Sequence, residues 1–313
     1  MPGGCCSGSA RRVRAFDGPP RRRCAIAPLH VAHRVQPVRS LPILRDPEVA
    51  SGAHCLLLES TYGDRVHPPL GDSIGTLAST IQRTIGRGGK VIIPAFALER
   101  AQELVHQLRQ LRLSGRIPAV PVYVDSPLAI KVTDVFRLHP ECLRRELHAK
   151  LQGQSTPFDF PGLTYVSDVE DSKAIDASPE PSIIIAGSGM CEGGRVLHHL
   201  RATIEDARTT IVIVGFQAEH TLGRRLVELR RDVKIFGVLR PRHADVVNLG
   251  GLSAHADQRD LIAYAEDVRE RGPLRRVIVV HGEDGPRVAL ATQLAGAGFP
   301  TVDIPVAGAR IRI

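Results

Sequence analysis

Short apolar runs alternate with amphipathic stretches along most of this chain. HCLLLES (54–60) is apolar until Glu59, then passes into Ser60, Thr61, Tyr62, Gly63 and Asp64. A brief apolar run closed by turn chemistry predicts a buried strand. KVIIPAFA (90–97) has the same form, and Leu98, Ala101, Leu104, Val105, Leu108 and Leu111 follow it at helical spacing. PVYVDSP (121–127) predicts a strand closed by Asp125, Ser126 and Pro127, with the helical LAIKVTDVFRLH after it. Residues 153–181, with several Pro and Gly, predict a loop-rich stretch holding one weak strand at 163–166.

The alternation then resumes. SIIIAGSGM (182–190) predicts a strand, followed by a helix over 195–204 that buries Val196, Leu197, Leu200 and Ile204. TTIVIVGF (209–216) precedes a helix carrying Leu222, Leu226 and Leu229. Asp257, with Asp260 three residues on, predicts the capped start of a helix with Leu261, Ala265 and Val268 on its apolar face. RRVIVVHGEDGPRVALATQL (275–294) predicts a strand, a turn at His281–Gly282 and a helix with Pro286 in its first turn. Strand-then-helix order repeated this way predicts an α/β fold with a mostly parallel sheet and helices on its faces.

Composition changes this picture at one end only. The net charge of +8 suggests a polyanion partner, but residues 1–40 hold eight Arg, no Lys and one acid, Asp17. The remaining 273 residues carry 33 basic and 32 acidic side chains, so the excess belongs to the N-terminal segment. That segment is rich in Arg, Gly, Pro and Cys and shows neither helical nor strand periodicity. It reads as a basic arm, a disordered tail, or, given 36 Arg against 5 Lys overall, the out-of-frame translation of a GC-rich coding sequence. Cys5, Cys6, Cys24, Cys55, Cys142 and Cys191 show no CxxC spacing, against a zinc ribbon or a disulfide framework. With no run near the ~18 apolar residues of a membrane span and no secretory h-region, a soluble cytoplasmic protein is expected.

Candidate chemistry collects at strand ends, where α/β folds place it. Glu59 follows LLL, His255 lies within SAHAD, and His281 follows VIVV. Taken singly, each has an ordinary structural explanation: a carboxylate meeting an Arg, a His at a helix start, a His bonded to backbone. A Glu59–His255 pair would favour the protonated imidazole that general acid catalysis needs, and His281 is placed to be a metal ligand or a base. In AGSGMCEGGRVLHHL (186–200), Gly187, Gly189, Gly193 and Gly194 lie between a strand and a helix, so backbone N–H groups could cradle a phosphate, with Ser188 and Arg195 assisting. A packing-only Gly turn is the alternative. The dinucleotide fingerprint fails, because Glu192 holds the third Gly position and the 209–216 strand lacks the ribose-binding acid. Cys191 is a candidate thiol, and of His198 and His199 one should face solvent and one pack inward.

Taken together, ESTYGDR with a following His, GGKVIIPAFALERAQELV, VYVDSP, AGSGMCEGGRVLHHL, GLSAHAD and VIVVHGE resemble, in order, the motifs of β-CASP proteins. These are metallo-β-lactamase-fold RNA nucleases that include ribonuclease J and the pre-mRNA 3′-end processing endonuclease. The resemblance spans roughly residues 41–290. It implies a partial metallo-β-lactamase core of the αββα type with an inserted Rossmann-like β-CASP domain. The implied divisions are an atypical segment at 1–40, a core remnant at 41–66, the β-CASP insert at 67–250 and a return to the core at 251–313. It further implies that Glu59 and His255 form the acid pair that protonates the leaving oxygen, and that His281 is a ligand of one of two zinc ions. Ser126, Ser188, Gly189 and Arg195 become candidate contacts to RNA phosphate.

One departure stands against the match. The family's HxHxDH signature does not occur in these 313 residues, and His30 and His33 have the wrong spacing. Of the implied zinc ligands, only His281 remains. A hydrolytic zinc takes about three protein ligands and an open position, so zinc retention is not expected. The expectation is a zinc-dependent RNA nuclease at family level, with this chain truncated and inactive or very weak. Competing readings are a non-catalytic RNA-binding or scaffold protein, self-associated or partnered with an active nuclease, and, more distantly, a nucleotide-binding enzyme built on the 186–194 loop.

Overall fold

The structure, a computed structural model, describes residues 31–34, 42–150 and 156–311. The described residues divide into two compact units, one holding 31–34, 47–66 and 255–311, the other 42–46, 67–150 and 156–254. The first begins with β1 (Val31–Arg34) and β2 (Cys55–Glu59). The second runs α1 (Leu70–Gly86), β3 (Val91–Pro94), α2 (Arg100–Leu113), β4 (Val122–Asp125), α3 (Pro127–Leu138), α4 (Arg145–Lys150) and β5 (Leu163–Tyr165). It continues through α5 (Val169–Ala177), β6 (Ile183–Ala186), α6 (Val196–Thr203), β7 (Thr210–Ile213), α7 (Leu222–Val227), β8 (Asp232–Ile235), β9 (Val238–Pro241) and β10 (Asp245–Asn248). The chain then completes the first unit with α8 (Gln258–Glu270), β11 (Arg276–Val280), α9 (Asp284–Gly296) and β12 (Val302–Asp303).

The first unit has a parallel sheet in the order β1-β2-β11-β12, with Cys55 opposite Arg276 and Glu59 opposite Val280. Leu56, Leu58, Val277 and Val279 lie on one face and pack against Leu261, Ala265 and Val268 of α8 and Leu290 and Leu294 of α9. Side chains alternate along a strand, so Glu59 shares its side with Cys55 and Leu57, away from those helices.

The second unit has a six-stranded sheet in the order β10-β7-β3-β6-β4-β5, with every pairing parallel. Val91, Ile93, Val122, Val124, Ile183 and Ile185 face α1, α2 and α3 through Leu77, Ile81, Leu104, Leu108 and Phe136. Ile92, Ile184, Ala186, Ile211 and Ile213 face the opposite way, against Ile175, Val196, Leu200, Leu222 and Leu226 of α5, α6 and α7. Burial on both faces is why these strands read as continuous apolar runs rather than alternating ones.

The mixed α/β class with parallel sheets is the one expected; several details differ. Residues 153–181 are not only loop and weak strand, because Asp168 accepts the Glu170 N–H at 2.7 Å and starts α5 there. This helix buries only Ser172 and Ile175, too few positions to leave an apolar period. Leu98 and Leu229 fall outside the helices assigned to them and are 66% and 57% exposed. Glu99 and Leu229 have φ of 65° and 56°, so the backbone breaks where the apolar spacing in the sequence continues. The segment 1–40, expected to lack regular structure, contains β1, which pairs with β2 from Val31 to Arg34. Its other residues, with His30 and Asp17, lie outside the described part. The helix α1 and the antiparallel β8–β9 hairpin are not among the predicted elements.

Candidate active site

Glu59 is fully buried at the carboxyl end of β2. Its Oε2 accepts the Thr61 N–H at 2.9 Å, which turns the carboxylate back over the strand end. His255 Nδ1 donates to Glu59 Oε1 at 3.1 Å, across 196 residues of sequence. Two local features fix His255. Ala256 is buried in the core beneath it, and the Asp257 side chain accepts the Asp260 N–H at 2.9 Å, starting α8. Asp257 also bridges to Tyr62, so the two segments run side by side.

His281 follows β11 with a left-handed φ of 51°. The Ser60 N–H donates to the His281 carbonyl at 3.0 Å, and Ser60 Oγ donates to the Val280 carbonyl at 3.1 Å. Gly282 lets this turn press on Ser60; a Cβ there would lie 2.6 Å from Ser60 Oγ and 2.9 Å from its carbonyl oxygen. The His255 and His281 rings stack at 5.4 Å. The Thr61 hydroxyl lies 3.3 Å from His255 Nδ1 and 3.1 Å from His281 Nδ1. A hydroxyl can accept from one imidazole and donate to the other, so Thr61 ties the two rings together. Sequence reasoning passed over Thr61, whose only local signal is a place in the turn after Glu59.

Ligand atoms of Glu59, His255 and His281 lie within 4.8 Å of one another. One carboxylate and two imidazoles suit a single cation of zinc type. Among the described residues this is the one cluster of three or more such donors. The described donors therefore fit one ion and do not fit two.

The second group of candidates gathers at the carboxyl edge of the six-stranded sheet. Ser126 caps α3, its Oγ accepting the Ala129 N–H at 3.3 Å. A Cβ on Gly187 would lie 3.3 Å from that same Oγ. Ser188 Oγ accepts the N–H groups of Glu192 and Gly193 at 3.2 and 3.3 Å, while the Ser188 and Cys191 N–H groups donate within the loop. Much of the expected N–H cradle is thus closed on itself. Gly189 is buried beneath Phe96, and its carbonyl accepts from Gln217 Nε2 at 2.9 Å. Cys191 is buried, and burial pushes its thiol up to about 12, which removes it as a nucleophile near neutral pH.

Arg195 is committed as well. Its guanidinium donates to Asp125 Oδ1, to the Val166 carbonyl at 3.0 Å and to the Ser167 carbonyl at 2.6 Å. Asp125 Oδ2 also accepts from Ser172 Oγ and from His199 Nε2, the latter at 2.7 Å. His199 Nδ1 bonds Asp176 Oδ1 at 2.6 Å. Burial lifts the Asp125 carboxyl pKa, but hydrogen bonds from His199, Ser172 and Arg195 outweigh it and hold the group below its usual range. Burial lowers the His199 pKa, yet its two carboxylate partners win and raise it. Of the two adjacent histidines, His198 is exposed and His199 fully buried. The adjacent pair in the sequence signals one inward ring, but not the two carboxylates waiting for it.

No described helix is long and apolar enough to cross a membrane. Residues 101–226 match the Beta-Casp domain, and residues 240–305 match the Zn-dependent metallo-hydrolase RNA specificity domain. The chain is similar to a ribonuclease of Thermus thermophilus, 37% identical over 260 residues, which is 83% of this chain and 58% of that protein. It is also similar to proteins named transcription termination factor FttA. The one from Methanosarcina mazei is 34% identical over 247 residues, 76% of this chain and 38% of that protein. The one from Pyrococcus abyssi is 36% identical over 248 residues, again 76% and 38%. The chain thus spans less than two thirds of the length of each of these relatives.

Proposed function

We propose a function from one premise: the chain belongs to the β-CASP, metallo-β-lactamase-fold RNA nuclease family. Its function on this reading is RNA processing, with RNA phosphodiesters as substrate and a general acid in the first unit. The observation that carries it is the 3.1 Å bond from His255 Nδ1 to Glu59 Oε1. That bond occupies Nδ1 and leaves Nε2 as the atom that passes a proton to the leaving oxygen. Glu59 holds the ring in place through that bond. Thr61 keeps His255 and His281 in register, and His281 is the donor offered to a metal. The zinc that the matched metallo-hydrolase domain implies would supply Lewis acidity and an activated nucleophile when bound. In the second unit, Ser126 and Ser188 contact the RNA backbone. Arg195 acts there mainly through Asp125 and the 166–167 carbonyls, since these already engage its guanidinium.

We propose further that these 313 residues by themselves turn over RNA slowly or not at all: with Glu59 and His255 acting as the acid pair, His281 is the described donor left for metal where the resemblance implies two zinc ions. The same shortage favours a second reading, an RNA-binding protein that associates with another copy or with an active nuclease. The test measures zinc per chain and cleavage of end-labelled single-stranded RNA, beside RNA binding across a salt series. The expected result is no more than one zinc per chain, little cleavage, and binding that weakens as salt rises. Two zinc ions per chain with rapid turnover would overturn the proposed impairment, and no RNA binding at low salt would overturn both readings.

A further inference from the structure

β3 and β6 are neighbours, paired from Val91–Ile183 to Pro94–Ala186. The helices that follow them nevertheless cover opposite faces: α2 packs with Val91 and Ile93, whereas α6 packs with Ile92 and Ile184. Where adjacent parallel strands send their connections to opposite faces, the chain diverges at their carboxyl ends and a crevice opens. Phe96 lies two residues beyond the end of β3, and the 187–194 loop leaves the end of β6. A Cβ on Gly189 would lie 2.7 Å from the Phe96 ring, so the loop backbone supports the ring closely from one side. The ring is still 46% exposed.

The described exposed phenylalanines are Phe96 and Phe236. Phe236 is occupied, with His198 at 4.8 Å between ring centroids and the Arg201 guanidinium carbon 5.5 Å from its ring centroid. Phe96 has no aromatic or cationic neighbour among the described residues. On the same carboxyl edge, the Ser188 and Ser126 oxygens accept backbone N–H groups, which leaves each hydroxyl proton as a donor, Ser126 being 9% exposed. Arg195 is already engaged by Asp125 and two carbonyls, so this edge offers an anionic strand hydroxyl donors and little unspent positive charge. Affinity at such a place needs a contribution other than charge, and an open aromatic face supplies one to any base.

We propose that Phe96 is the platform on which a nucleobase of bound single-stranded RNA stacks, with Ser188 and Ser126 donating to the adjacent backbone. The inference rests on the RNA-binding reading above and assigns it a base subsite. Because Phe96 is half-exposed, its replacement leaves the core intact.

The test uses the full 313-residue chain and two short fluorescent oligomers, one of oligoadenylate and one with the same backbone lacking bases. Phe96→Ala and Phe96→Leu should bind oligoadenylate about ten-fold more weakly than wild type, and Phe96→Tyr should retain binding. Against the abasic oligomer, wild type and Phe96→Ala should bind alike. Gly189→Ala, which drives a methyl group into the ring, should mimic Phe96→Ala. Equal weakening of both oligomers, or unchanged oligoadenylate binding by Phe96→Ala, would overturn the platform while leaving the RNA-binding reading in place. Failure of wild type to bind either oligomer would overturn both.

Discussion

Replacing His199 with Leu tests whether the second unit is organised around a buried charge. In the wild type, the imidazole is fully buried between Asp125, itself fully buried, and Asp176, 17% exposed. Leucine fills similar space but leaves both carboxylates without their shared cation. Removing one partner of a buried ion pair costs about 3–5 kcal/mol. Asp125 keeps Arg195 and Ser172, so the lower end, about 3 kcal/mol, applies here. For a unit of this size that lowers the melting temperature by roughly 6–12 °C.

The pH dependence separates this charge from simple packing. The folded-state pKa of His199 is raised, so its contribution is complete below the ordinary imidazole value of about 6.5 and is lost as pH rises through the raised one. The Asp125 pKa is depressed, so its contribution is present above the ordinary carboxylate value of about 4 and is lost as pH falls through the lower one. The stability gap between wild type and His199→Leu should therefore be widest near pH 5–6 and narrow into the alkaline range. Thermal unfolding followed by circular dichroism across a pH series measures it. A gap that does not change with pH would show that the ring acts through packing alone, and a gap under about 1 kcal/mol would refute the buried-charge account.

Other substitutions probe the first unit. Glu59→Gln keeps the side chain's shape but removes the anionic acceptor for His255; any RNA cleavage by the chain should fall about 100-fold or more in single-turnover assays with bound RNA. Asp257→Ala removes the acceptor for the Asp260 N–H and should cost about 1 kcal/mol in urea denaturation. A value near zero would mean that the cap does not hold the start of α8. Gly282→Ala places a methyl 2.6 Å from Ser60 Oγ and should move the His281 turn. Zinc affinity by calorimetric titration should weaken although every donor remains; unchanged affinity would exclude His281 from the site.

The sequence by itself determined the succession of strands and helices, because a parallel sheet covered on both faces requires uninterrupted apolar runs such as 91–94, 183–186 and 210–213. It also determined the start of α8, because Asp257 satisfies an N–H only three residues away. Local chemistry of this kind is legible wherever partners are close in the chain. It misleads where a backbone reversal interrupts an apparent period, as at Glu99 and Leu229, and it is faint where a helix buries two residues, as in α5. The tertiary structure decided which of those pieces meet. The β2–β11 register lays Glu59 beside Val280 and brings His281 to Thr61, and the α8 cap delivers His255 to the same carboxylate. It also gave residues contacts that their spacing does not record: Arg195 with Asp125, Gly189 beneath Phe96 and Cys191 within the core. Which buried polar group meets which depends on contacts between distant segments, and local periodicity carries no record of them.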